Sequence, residues 1–234
     1  MAAAAALALG TCGSAFAAGR QSTPAATASA ATASAAARLD AVKGLAAARI
    51  QGRIAALHAL ALAVGDSKYL TSSEKSTLGD QISSDLSGLT ALATKAANET
   101  TVDAVRADET AMVDDYRVYL LMAPQVRLTE AFAAESAADA TLQKAYDALK
   151  QLLARQSGGG TSEQQSELAD LENQVTAAES AIGNEASVEL AVRPGPNESA
   201  IDAALAPVRQ AAKTARGDLV KASTDAKDLR ASLK

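Results

Sequence analysis

The chain has 234 residues, 48% of them hydrophobic but only 3% aromatic, with no Trp and a formal net charge of −5. Alanine supplies much of that apolar share, and a buried methyl gains far less than the ~1.5–3 kcal/mol of a buried Leu or Phe, so a thick globular interior is excluded and thin helix–helix seams are favoured. Acids and bases are interspersed, which excludes the dense basic face that a nucleic-acid partner demands.

Residues 1–17 read as an export signal. Ala2–Leu9 is an apolar run too short to cross a bilayer, which takes ~20 residues. Ala15 and Ala17 are the small residues a signal peptidase reads, which places cleavage after Ala17. Removal of that segment would take away Cys12, the chain's single thiol, and with it disulfides, thiolate catalysis and cysteine metal sites. Leu9-Gly10-Thr11-Cys12 is a poor lipoprotein box, because Thr11 precedes the cysteine. Residues 18–35, rich in Ala, Ser and Thr, read as a disordered tether.

From Arg38 a helical period runs through Leu39, Val42, Ala46, Ile50, Ile54, Leu57 and Val64, with Gly65 as its stop. Thr71-Ser72-Ser73-Glu74 is a capping box opening a second helix with Leu78, Ile82, Leu86 and Leu89 on one face. A long central helix is expected from Thr100 to about Arg155. Its apolar face carries Met112, Tyr116, Tyr119, Ala123 and Val126, and Pro124 kinks it without ending it. Gly158-Gly159-Gly160 ends the segment, and no Gly-Lys-Ser/Thr follows to make it a phosphate loop. Thr161–Gln164 is a second capping box, opening a helix through Leu171, Val175 and Ala178. Arg193–Asn197 is a turn, with Asn197 placed as the next cap. The final stretch, Ile201 to Leu233, alternates apolar steps of four and three, an a/d seam with small residues in the middle.

The expected fold is all-α: an elongated antiparallel arrangement of about five helices with spectrin-repeat-like or coiled-coil-like packing around a long kinked central helix. Two three-helix bundles, 36–124 and 125–234, would share that spine; the alternative is a single bundle with the last hairpin folded back alongside. Residues 161–189 carry acids and no base, whereas Arg209–Lys234 is rich in Lys and Arg, so the acidic start of one helix should lie beside the basic end of the other.

Catalytic signals are scarce. His58 is the only histidine and flanks the first seam. Asp114 and Asp115 are adjacent on a helix and so point about 100° apart, which prevents a shared carboxylate site. Asp103, Asp108 and Glu109 lack the loop spacing of a calcium site. No catalytic residue, cofactor or metal site is expected, and the protein is expected not to be an enzyme. Tyr116, Arg117 and Tyr119 remain as a candidate ligand or packing site: the two rings either line a small pocket or fill the core with their hydroxyls at the rim.

The segment from about Arg53 to Leu153, with Asp115-Tyr116-Arg117-Val118-Tyr119 followed by Pro124-Gln125, resembles the helical core of uncharacterised exported alanine-rich proteins of high-GC Gram-positive bacteria. The resemblance implies a helical fold and an extracytoplasmic setting, and implies no activity. The expected function is therefore that of a secreted or envelope-associated structural or interaction protein, a spacer or adaptor. Its partner would be another envelope protein or a second copy, with no nucleic acid and no transmembrane span in the mature chain. The alternative is a ligand-binding or sensing module with its pocket near Tyr116 and Tyr119. A pocket there would favour the alternative; an exposed apolar stripe would favour the interaction protein.

Overall fold

The computed structural model describes residues 24–156, 158–183 and 185–233. The expected signal segment and Cys12 lie outside the described residues. The chain forms two compact units, Met1–Arg38 and Leu39–Lys234. Helix α1 spans Pro24–Asp66. The tether expected over 18–35 is therefore helical from Pro24 onward. Alanine is the best helix former, and the Ser and Thr residues between cost only tenths of a kcal/mol each. Within the first unit, residues 32–38 of that helix expose every side chain.

In the second unit α2 (Ser72–Asn98), α3 (Val102–Asp114), α4 (Ala123–Ala154), α5 (Ser162–Ile182), α6 (Glu185–Ala191) and α7 (Glu198–Ser232) follow, with no strand among the described residues. Five of the helices are 21 residues or longer, so the protein is an all-α helical bundle as expected. Both capping boxes form: Thr71 Oγ1 accepts from the Glu74 amide at 3.2 Å and Thr161 Oγ1 from the Gln164 amide at 3.2 Å. Asn197 Oδ1 caps α7 by accepting from Ala200 N at 3.0 Å.

The continuous central helix is corrected. Helix α3 stops at Asp114, Arg117 is left-handed at φ 42°, and a π-helical turn over Val118–Met122 leads into α4. The break lies upstream of Pro124 because a proline lacks the amide for the helical ladder and its ring crowds the carbonyl four residues back. The wider π turn moves the bonding one residue further, with Ala123 N–H reaching Val118 O. The turn also resets the helical phase. Val118, Leu121, Met122, Gln125 and Val126 face inward, while Tyr119 points out and is 57% exposed.

Two main cores result. Ile50, Leu57, Leu78, Ile82, Leu89 and Met112 join α1, α2 and α3, extended by Val118, Met122 and Val126. Tyr146, Leu149, Leu171, Val175, Ala222 and Leu229 join α4, α5 and α7. Smaller clusters of Leu121 with Ile201 and Leu205, and of Phe132 with Val208 and Ala212, line the stretch between them. The α7 seam is buried from Ile201 to Leu229 as its period requires. Helices α4 and α7 run parallel, since Phe132 meets Val208 and Ala212 while Leu149 lies with Ala222 and Leu229. The start of α5 does lie beside the end of α7, where Gln164 Nε2 donates to Ser232 O at 2.9 Å. Yet no ion pair links the two helices among the described residues, so the apolar seam and this bond orient them.

Candidate functional site

Arg117 is where the phase break and the fold's polar chemistry meet. A left-handed backbone suits glycine, but here a long side chain is needed. Its guanidinium is 7% exposed and donates from Nε to Gly195 O and from Nη2 to Pro196 O and Asp114 Oδ1, each at 2.9 Å. Glu198 lies 3.8 Å from Nη1. One planar fork thus ties the α6–α7 turn to the end of α3, which a single ammonium could not do.

The flanking tyrosines part company. Tyr116 is half-buried and packs over Gly88, where any Cβ would strike its hydroxyl end. It lines a cleft of about 200 Å³ with Gln81, Ser84, Asp85, Gln125 and Arg193. Burial pushes the Asp85 carboxyl up to about 6, and burial together with Asp115 and Asp85 pushes the Tyr116 phenol up. Tyr119 lines a separate cleft of about 140 Å³ with Arg53, Val113 and Glu198, and the Arg53 guanidinium stacks 5.3 Å over its ring. The two rings line different clefts, with the left-handed Arg117 between them. The reading of Tyr119 as core is corrected: its ring is exposed.

Other sequence candidates disperse. His58 is exposed. Asp108 is buried and pairs with Lys95, whose ammonium it pushes up. Glu109 pairs with Arg49 at 2.6 Å and Asp103 with Arg106 at 3.6 Å, so the three acids do not converge. Among the described residues no group of His, Cys, Asp and Glu is arranged to hold a metal, and no helix is long and apolar enough to cross a membrane.

Two features went unseen in the sequence. The first is the short helix α6, which follows the break at Gly183 (φ 35°). Gln125 Nε2 clasps it by donating to Glu189 O at 2.8 Å and Val192 O at 3.2 Å. Glu189 itself is fully buried, and burial pushes its carboxyl up to about 9. The neighbouring Thr129 hydroxyl pulls it down, a smaller effect than burial, while donating to Gln125 O at 2.8 Å. Both Glu189 oxygens are left without a well-aligned hydrogen bond.

The second is an open apolar groove between α4 and α7. One stretch, about 530 Å³, is lined by Ala131, Ala134, Ala138, Leu142, Leu219 and Val220. The next, about 390 Å³, continues through Ala145, Ala148, Leu149, Leu152 and Ala226, with Leu142 and Ser223 shared between the two. Leu152 is 47% and Val220 62% exposed on its rim. Helix α4 therefore carries two stripes. Phe132, Tyr146, Leu149 and Leu153 face the core, and Ala131, Ala134, Ala138, Thr141, Ala145, Ala148 and Leu152 repeat at steps of three and four along the groove. That repeat is legible in the sequence once the core face has been assigned elsewhere. No family model, curated protein or solved structure matches the chain.

Proposed function

We propose that this protein is a non-enzymatic helical interaction protein that works at the cell envelope as an adaptor or spacer, and that the α4–α7 groove is where it accepts a partner helix. The groove is the observation that carries the reading. Its two walls are parallel helices, alanines line it along α4, leucine and valine stand along it, and Glu135, Arg216, Lys227 and Arg230 add charge at its edges, which is an arrangement an amphipathic helix can fill. The small residues along α4 let an incoming helix approach closely and bury its own apolar stripe. The envelope setting rests on the export signal read in residues 1–17 and would put the groove where other exported proteins can reach it.

Photo-crosslinking tests this. A benzoylphenylalanine at Thr141 or Ser223, both on the groove, should give protein adducts in producing cells. The same group at the exposed Asp228 should give none. Adducts equal at all three positions, or at none, would end the groove reading. The Tyr116 cleft supports the alternative less well, being small, half open and without Tyr119.

A further inference from the structure

We infer that the cleft beside Tyr116 binds a small zwitterion, a free α-amino acid with a short apolar side chain. This is a second site, separate from the α4–α7 groove, and neither reading depends on the other.

Three parts of the chain wall the cleft: α2, the π turn with the start of α4, and the segment that follows α6. Asp85 of α2 supplies the anionic end. Its carboxyl is half-buried, yet among the described residues it makes neither a hydrogen bond nor an ion pair. Burial pushes it up to about 6, with no base of the chain to draw it back down. A carboxylate that gives up water without gaining a partner destabilises the fold, and one that faces a cleft is poised for a partner from outside. The Tyr116 hydroxyl stands close enough for the Asp85 charge to push its phenol up, and it too makes no hydrogen bond among the described residues. A carboxylate beside a free hydroxyl oxygen is a seat for an ammonium group.

Arg193 supplies the cationic end. Its Nη1 donates to Leu190 O at 2.5 Å and to Val192 O at 3.3 Å, which leaves the edge formed by Nε and Nη2 without a partner. That edge is the one a carboxylate takes with two parallel hydrogen bonds. The other two walls fix the segment that carries Arg193. Gln81 Nε2 donates to Leu190 O at 3.4 Å, and Gln125 Nε2 to Glu189 O at 2.8 Å and Val192 O at 3.2 Å.

Asp85 and Arg193 thus share one cleft of about 200 Å³ without pairing with each other. A bare amine would meet Arg193 like against like, and a bare carboxylate would meet Asp85 in the same way. An ammonium and a carboxylate on one carbon satisfy both. Leu121, Met122 and Val192 make the rest of the lining apolar, which selects an apolar side chain. The volume lies below the ~300 Å³ of the smallest drug-sized pockets, which limits that side chain to about the size of valine or leucine.

Isothermal titration of the purified full chain with L-valine tests this, and should show one site with a dissociation constant of a millimolar or tighter. Isobutylamine, which lacks the carboxylate, and isovalerate, which lacks the ammonium, should each bind at least ~10-fold more weakly, the factor for one lost charged contact. Asp85→Asn and Arg193→Gln should each weaken L-valine by ~10-fold or more. Asp85→Asn removes an unpaired, half-buried charge, so its melting midpoint should equal or exceed that of the wild type. Arg193 is exposed, so Arg193→Gln keeps the fold and decides the matter whatever Asp85→Asn does to stability. Tyr119→Phe, in the neighbouring cleft, should bind L-valine as the wild type does. No binding of L-valine or L-leucine at ~10 mM would overturn the inference. So would equal affinity for isobutylamine or isovalerate, unchanged binding in Arg193→Gln, or a loss in Tyr119→Phe that moves the ligand to the other cleft.

Discussion

At Arg117 a cost and a gain sit on one residue. The left-handed backbone is unfavourable by ~1–2 kcal/mol for a residue with a Cβ, and the side chain offsets it with three hydrogen bonds from an almost fully buried guanidinium. Arg117→Gly relieves the backbone but leaves Gly195 O, Pro196 O and Asp114 unpaired. It should still lower stability, by ~1–3 kcal/mol, and Arg117→Ala by ~2–4 kcal/mol, read from thermal or urea melts. An Arg117→Gly protein as stable as wild type would show the fork to be dispensable. Tyr119→Ala tests the neighbouring residue from the other direction. A core tyrosine would cost ~3–5 kcal/mol on truncation. A ring that is 57% exposed and held mainly by Arg53 should cost ~1 kcal/mol or less. The sequence named Tyr116, Arg117 and Tyr119 as the place to look, and Arg117 is indeed a structural centre. It could not separate the two tyrosines, because a spacing of three implies one face only while the helix stays α, and a single left-handed residue followed by a π turn leaves no compositional trace.

Among the elements, those with local signals were legible. The two capping boxes, Asn197 and the Ile201–Leu229 seam all stand where their spacing puts them, since each depends on residues three or four apart. Helix α6 depends instead on what covers it: Gln125 from α4 takes up its carbonyls, and Glu189 is buried against the odds of its charge. That burial gives α6 a pH signature. The folded carboxyl titrates at about 9 against 4.5 for the free group. The folded state therefore holds the proton more tightly, and the stabilising contribution is complete below about pH 4.5 and lost as pH rises towards 9. By pH 7 the loss is on the order of 3 kcal/mol at ~1.4 kcal/mol per pH unit. Glu189→Gln keeps the shape without the charge. The mutant should therefore be the more stable protein at pH 8, with the gap closing by pH 4.5. Asp85, pushed up to about 6, contributes a slope of the same sign to both proteins, so the difference between the two melting curves isolates Glu189. Parallel curves across that range would mean the carboxyl is hydrated in solution.

In the molecule as a whole, the C-terminal helices show which forces hold the bundle. Opposite charge along α5 and α7 suggested that charge orients the hairpin while the apolar seam stabilises it, yet the two helices share no ion pair among the described residues, and exposed pairs would add only ~0–1 kcal/mol each. What they share is the seam of Leu171, Val175, Ala222 and Leu229, to which Tyr146 and Leu149 of α4 contribute the largest side chains. Removing α4 strips that core of its only aromatic ring and exposes alanines that gain little from each other. A two-helix fragment, Thr161–Lys234, should therefore be only partly helical. Extending it back to Gln125 should restore a cooperative melt. Because no α5–α7 ion pair is present among the described residues, the helicity of the short fragment should change little between low salt and 0.5 M, where an electrostatic hairpin would lose most of its order. Circular dichroism of the two fragments over that salt range measures both effects. A short fragment that is fully helical would show the α5–α7 seam to be sufficient, and one that melts as salt rises would return the charges to the leading role.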